Sequence, residues 1–525
     1  MAIRPDIALR HLVLAAVVGP MTMLASTVRA QQGMPNDFNT GGTFAGIGNF
    51  GTIDPLTGLP GGQTPLLAYG ADVGLGETDN VNLTQTNKVT QTIAQADAEF
   101  AVNQQDRLFD VRAVGAFSDL NYLEGAYGNE FIGRFDGMGS YAIIPERLVW
   151  VLRDDFGQAT LDAFTPVTPN NRQDINYLTT GPNLYLRLGG TGFLNASARY
   201  ADAYYQTSPF DSTRGILTLG SGLQLSARST VSLNGAAERV LFKNTEVNND
   251  FDRYSVFGRY DTHGARTDFA VDLGGTRVEQ KGDATGITTV IEPGTLTTTG
   301  LQTAPPGLSS LTSGPPHDTD TTDPLVRLEL ARALSPSAKL ILTGGRELTD
   351  ASSSFSTQQA GAISIVNYAP TPLTSDVYTS TYGNLTWQYA RSRTSVAIAG
   401  RWERDSYPGA SEFDLKTEGA DINVQRRLTS EFTAQLIGRW YKLDYPNATV
   451  ATDVGSPDND TKQFGAALSW RRGRWLEVKF RYDHTNYTVT QGNTGYSENR
   501  VLLTVGYQPR QDNSLGGLQD ATPPP

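Results

Sequence analysis

Few residues in this chain have the types and spacing needed for bond-making chemistry. It holds four histidines and no cysteine. Without cysteine there are no disulfides, no thiol nucleophile and no thiolate zinc site. A hydrolytic centre needs a nucleophile, a base and an orienting group within reach of one another. His11 lies in an N-terminal leader, His263 in a short turn and His317 in a long polar segment. Only His484 has a carboxylate beside it, Asp483. One adjacent pair makes a weak case for catalysis, so a non-enzymatic chain with no cofactor is expected. Two acidic runs could offer oxygen ligands to Ca²⁺: His317-Asp318-Thr319-Asp320 with Asp323, and Pro457-Asp458-Asn459-Asp460 with Asp453 upstream. Neither has the spacing or the fixed glycine of an EF-hand loop, which favours solvated loop and no metal.

The informative chemistry is charge placed at every second residue. From Trp475 to Asp483, Leu476, Val478, Phe480 and Tyr482 alternate with Glu477, Lys479, Arg481 and Asp483. Side chains of an extended strand alternate between its two faces, so one face is apolar and the other charged. The same reading puts Asp110, Arg112, Arg199, Arg327, Glu329, Arg401, Glu403 and Arg439 on charged faces. On a lipid-facing surface each mid-membrane Arg or Lys would cost about 2–4 kcal/mol. These twelve residues are therefore expected to line a wet lumen and to set its selectivity. The competing expectation is a lumen closed by charge pairs between neighbouring strands.

The elements that must position such faces are amphipathic strands. From residue 66 to residue 507, alternating segments of about 10–16 residues recur, separated by turns. Examples are Phe464, Ala466, Leu468, Trp470; Val396, Ile398, Gly400, Trp402; and Phe432, Ala434, Leu436, Gly438, Trp440. Short connections fall near residues 104–106, 144–146, 189–191, 227–229, 263–265, 335–337, 391–393, 428–430 and 472–474. Longer ones lie between, the longest near 157–171, 280–322, 351–373 and 446–458. Short turns at one rim and long loops at the other predict an all-β, antiparallel, up-and-down transmembrane barrel of about 20 strands, within 16–22. Trp150, Trp387, Trp470 and Trp475 flank short turns, while Trp402 and Trp440 sit toward the opposite strand ends. Two interfacial aromatic girdles would be placed in this way.

The N-terminus agrees with export. Arg4 and Arg10 precede an apolar stretch, Leu12 to Leu24, that is too short to span a bilayer, and Val28-Arg29-Ala30 offers a cleavage site. The expected organisation is a signal peptide (1–30), a flexible periplasmic segment (31–64), the barrel (65–508) and a polar tail (509–525). The formal net charge of −12 argues against a nucleic-acid partner. It becomes more acidic still when the leader is removed.

One short motif carries a resemblance. Gly74-Leu75-Gly76-Glu77-Thr78-Asp79-Asn80-Val81-Asn82-Leu83, with the closing segment Asn499 to Tyr507, resembles the β-barrel porins found with exopolysaccharide and exosortase (PEP-CTERM) systems. That resemblance implies a role near polysaccharide export and brings no catalytic residues. The expectation is an outer-membrane channel for a surface polysaccharide, in contact with lipid, the polymer and periplasmic export components. A general diffusion porin and an adhesive barrel displaying its loops are the alternatives.

Overall fold

The computed structural model describes residues 67–161, 166–245, 248–280, 319–361, 374–408, 410–448, 458–473, 475–489 and 495–507. The expected signal peptide, periplasmic segment and polar tail, together with His11, His317 and Asp453, lie outside the described residues. Ten strands form the first half: β1 (Leu67–Thr78), β2 (Gln91–Gln105), β3 (Phe109–Tyr122), β4 (Glu130–Ile144), β5 (Leu148–Thr160), β6 (Arg172–Leu188), β7 (Gly192–Tyr205), β8 (Ser212–Ser226), β9 (Ser229–Phe242) and β10 (Phe251–His263). The second half runs β11 (Thr267–Gln280), β12 (Thr319–Ser335), β13 (Ala338–Thr349), α1 (Ala351–Gly361), β14 (Tyr378–Arg391), β15 (Thr394–Ser406), β16 (Leu415–Arg427), β17 (Phe432–Asp444), β18 (Asn459–Arg472), β19 (Leu476–Val489) and β20 (Tyr496–Tyr507).

Each strand pairs antiparallel with the next, and β20 pairs back onto β1 from Ala71↔Tyr507 to Thr78↔Arg500. The result is a closed 20-stranded barrel, in agreement with the strand number expected from the turns. Closure gives every strand a partner on both sides and leaves no free edge strand to template aggregation. The nine short turns lie where the sequence places them, and all long connections leave the opposite rim.

Alternation fixes which face is which. On β8, Leu217, Leu219, Leu223 and Leu225 are exposed, while Arg214 and Thr218 on the other face are buried. Leu233 on β9, Val256 on β10, Leu273 on β11 and Leu503 on β20 continue the apolar outer surface. A one-residue slip anywhere would exchange the two faces, so this pattern pins the register.

The motif at the end of β1 explains itself at the seam. Asp79 accepts hydrogen bonds from the Asn499 backbone N–H at 2.8 Å and from Asn499 Nδ2 at 2.7 Å. Asn80, fully buried, donates to the carbonyls of Thr84 and Ser497. Thr78 Oγ1 donates to Glu498 at 2.5 Å. The first strand is thus clasped to the last at the long-loop rim. Lower on the seam, a Cβ on Gly74 would meet Leu503 O at 2.6 Å, so β1 and β20 pass too closely there for a side chain.

Besides register shifts beside three short turns, the ladder is interrupted in three places. Pairing of β6 with β7 skips Gly181 and Pro182, where proline has no N–H to give. Arg199 fills the gap, donating to Pro182 O at 2.9 Å and Asn183 Oδ1 at 2.5 Å. At the long-loop end, β4 and β5 pair only from Phe135↔Phe156 downward, and β12 and β13 only from Val326↔Arg346 downward. Side chains bridge both splits. Gln158 Oε1 accepts from Gly133 N–H at the first, and Asp323 accepts from Arg346 and Thr379 at the second.

The expectation of a loop over 351–373 is corrected in part, because its first eleven residues form α1. Their sequence, ASSSFSTQQAG, has no apolar stripe and poor helix formers. Asp350 starts the helix by accepting the Ser353 N–H at 3.2 Å, as an N-cap residue does. The rest of its support comes from the barrel's inner wall. The longest loops are also trimmed, with β5 reaching Thr160 and β12 starting at Thr319.

Candidate functional site: the inner wall

Charged side chains cluster most densely where α1 meets the wall. Arg214 on β8 donates to both oxygens of Asp350, at 2.9 and 2.7 Å, and to Ser353 Oγ at 3.1 Å. Arg253 on β10 binds Glu238 on β9 and lies 3.6 Å from Asp350. Glu238 also approaches Arg214 at 3.4 Å. The Arg214 guanidinium stands over the Tyr177 ring at 5.6 Å, a cation–π arrangement. Further along the helix, Arg153 on β5 donates to Ser356 O at 2.9 Å while held by Asp155. Tyr205 on β7 meets Ser352 Oγ at 2.8 Å, and Tyr378 on β14 meets Ser354 Oγ at 2.5 Å. Each of the four serines of α1 therefore has a partner on a different strand. Beneath lie Ile175, Tyr177, Ala201, Ala203 and Tyr205, which pack against Ala351 and Phe355.

Asp350 is buried between two guanidiniums, a pairing in which removal of one member is costly because the others stay buried and charged. The network fixes α1 against the inner wall, from β5 to β10 and again at β14.

The twelve residues singled out as lumen candidates all lie on the face opposite the exposed apolar row. Arg327 donates from Nε and Nη2 to one oxygen of Glu347, at 2.8 and 2.7 Å, with Asp272 3.7 Å away. Its neighbour Glu329 is buried beside it. Arg401 pairs with Glu403, which also accepts from Ser380 Oγ at 3.0 Å. Arg439 lies 3.6 Å from Asp421 and donates to Gln463. Glu477 accepts from Arg471 at 2.7 Å. Arg481 grips Asp483 at 2.7 and 2.9 Å. Arg112 and Asp110 are 3.4 Å apart, and Lys479 is half-buried on the same face as Glu477. Arg199 patches the β6–β7 ladder. Several pairs share one strand at i and i+2, the spacing that keeps two side chains on one face.

His484 and Asp483 do not work together. Neighbours on a strand face opposite ways, so Asp483 turns inward to Arg481 while His484 bonds Asn499 Oδ1 at 2.9 Å. The described members of the acidic runs are engaged: Asp320 with Arg277, Asp323 with Arg346, Asp460 with Lys462, and Asp458 with the Tyr445 N–H, while Asp318 and Pro457 lie outside the described residues. The tryptophans lie on the outer face. Trp150, at the short-turn rim, donates to Thr180 Oγ1 at 2.8 Å. Trp387 stacks on Tyr389, Trp470 donates to Glu431, and Trp475 lies against Tyr507. Trp402 and Trp440 face outward toward the other rim.

Sequence reasoning missed Arg153, Arg214, Glu238, Arg253 and Asp350. The four strand residues carried a readable signal, since each stands opposite an apolar alternation such as Tyr254 and Val256 beside Arg253. Asp350 carried none, because its role depends on α1.

The fold and this wall define a class: a closed antiparallel barrel, apolar outside and polar within. No protein-family model matches the chain, and no curated protein matches it. Among solved structures, the FrpB iron transporter from Neisseria meningitidis (F5-1 variant) is similar at 9% identity and TM-score 0.42, over 84% of this chain and 82% of that one. The copper transporter OprC is similar at 11% identity and TM-score 0.36, over 85% and 81%. Pseudomonas aeruginosa OccK2 (OpdF), solved with glucuronate, is similar at 9% identity and TM-score 0.34, over 84% and 98%.

Proposed function

We infer that this protein is an outer-membrane channel and that its cargo is a hydrated saccharide polymer on its way to the cell surface. One observation carries the channel reading: the same strands bear exposed leucine, valine and phenylalanine on one face and ion pairs on the other. Only a barrel with lipid outside and water inside stabilises both faces at once. Strands of 12–17 residues exceed the roughly 9–11 needed to cross a bilayer, so they continue beyond it at the long-loop rim.

The cargo reading rests on the sequence motif and on the character of the wall. Arg439, Arg481 and Arg401 each have a carboxylate partner close by. A wall of paired charges offers many weak polar contacts and no single strong trap, which suits movement of a long hydrated chain. The same pairing also fits a general diffusion porin, which is the second reading.

Single-channel conductance in a planar bilayer tests both. A large, stable conductance blocked by polymer from the native host supports polysaccharide passage. Large conductance without block favours the porin. No conductance from a folded barrel overturns the channel. A triple variant, Arg439→Gln with Lys479→Gln and Arg481→Gln, should lower polymer export, and unchanged export removes those residues from the path.

A further inference from the structure

We propose that the outer face of β13–β18, at the long-loop rim, binds the phosphate headgroups of outer-leaflet lipids. The proposal rests on the membrane reading above. Arg346, Arg404, Lys416, Lys442 and Lys462 all point outward within four residues of the long-loop end of their strands. They form one neighbourhood. Arg346 is in register with Thr381, Thr381 with Arg404, and Arg404 with Lys416. Lys442 and Lys462 continue the line on the next two strands, opposite Glu418 and Trp440 respectively. Arg404 is exposed, and side-chain exposure is 46% for Arg346 and 65% for Lys462.

Their depth is set by the tryptophans. Arg404 stands two residues beyond Trp402, and Lys442 two residues beyond Trp440, each pair on one face. Two residues of strand rise about 6.8 Å. Below the tryptophans the surface is apolar, with Leu385, Ile398, Ile422, Leu436, Phe464 and Leu468 exposed. Membrane-facing tryptophans mark the boundary between hydrocarbon and headgroup. The cations therefore sit at the level of lipid phosphate, where Lys and Arg attract anionic headgroups.

The sign of charge sets this sector apart. Among its outward strand residues the carboxylates are Glu418, Asp444 and Asp460, and Arg346 also holds Asp323 of β12, so the five cations meet four carboxylates and Arg404 is in none of these pairs. Across β3–β7 the corresponding positions, Asp119, Asp174 and Asp202, carry the opposite charge. The cations beside them are themselves paired, Lys243 with Asp202 at 3.3 Å and Arg172 with Glu130 at 3.4 Å. A lipid with a phosphomonoester headgroup, doubly charged and rich in acceptor oxygens, fits the basic sector and is repelled by the acidic one.

Native mass spectrometry of the full chain tests this, with the protein released from micelles doped with dioleoyl phosphatidic acid or dioleoyl phosphatidylcholine. Flotation with phosphatidylcholine vesicles is run beside it, and failure to float overturns the membrane reading itself. Given flotation, the expected result is retained phosphatidic acid and at least tenfold less in a variant carrying Arg404→Gln, Lys416→Gln and Lys442→Gln. A control with Arg239→Gln and Arg277→Gln, exposed rim cations outside the sector, should retain the lipid. Equal retention by the triple variant and wild type, an equal loss in the control, or displacement of the lipid by millimolar inorganic phosphate would each overturn the proposal. Heat-modifiable gel migration confirms that each variant is a folded barrel.

Discussion

Two parts of the inner wall use the same residue types to opposite ends. From β5 to β10, the charges are buried and cross-linked through α1: Arg214, Glu238, Arg253 and Asp350 belong to one network. From β15 through β20, they stand in local pairs, Arg401 with Glu403 and Arg481 with Asp483, and among the described residues no helix covers them. The difference lies in desolvation. Covering a charged wall with a helix removes water, so every charge then needs a partner of good geometry. A wall left wet tolerates looser pairs. One side is a helix-covered wall of cross-linked charges, and the other is a wall of local pairs.

Asp350→Ala gives the largest expected effect on this contrast. It removes the cap of α1 and leaves two buried guanidiniums short of a carboxylate, a loss of about 3–5 kcal/mol for a broken buried pair. Closure of the barrel does not depend on α1, so the sheet should persist. The expected outcome is an intact strand-rich circular dichroism spectrum with conductance increased severalfold, as α1 leaves the wall. Wild-type conductance in a folded Asp350→Ala protein would mean that α1 does not narrow the passage.

That contrast also separates what could be read in the sequence from what could not. The barrel, its strand number and its short turns follow from period-two alternation, visible in any one strand such as Leu476 to Asp483. The inward placement of Arg327 or Arg439 follows from the same parity. The α1 network does not, because Ser352, Ser353, Ser354 and Ser356 resemble any loop serines. They become helical through partners 147, 139, 24 and 203 residues away: Tyr205, Arg214, Tyr378 and Arg153. Splits in the ladder are hidden for a similar reason. Asp323 reads as part of an acidic loop until Arg346 and Thr379 come across to it. The β1 motif lies between these extremes. Its residues stand out by type, but their task as a clasp needs Asn499, 420 residues distant.

A smaller effect is expected at that clasp. Burial favours the neutral Asp79 carboxyl, but the hydrogen bonds from Asn499 outweigh it and hold Asp79 below the usual carboxylate range. A depressed folded value stabilises the charged form. The contribution is therefore present above the unfolded carboxylate value, about 3.9, and is lost as pH falls through the folded value. Removing the acceptor in Asp79→Ala should cost about 1–2 kcal/mol. In urea titrations at pH 7 the variant should unfold earlier than wild type, and the gap should close below about pH 4. A gap that persists in acid would mean that the clasp does not depend on the charged carboxylate.

The smallest change in stability belongs to the open wall. Arg481→Gln breaks a local pair whose side chains are 15% and 11% exposed, and because the amide left in place can still donate to Asp483 the loss is expected to be about 1 kcal/mol. Its effect should appear in transport. Asp483 then faces the passage without its guanidinium, and fixed negative charge in a wet pore concentrates cations. Across a salt gradient the reversal potential should shift toward cation selectivity, with total conductance nearly unchanged. Asp483→Asn should shift it the other way. The pair thus reports selectivity without pore size, whereas Asp350→Ala reports size without selectivity. If Arg481→Gln instead changed conductance as much as Asp350→Ala, the two walls would share one constriction, and the division between a buttressed side and an open side would fail.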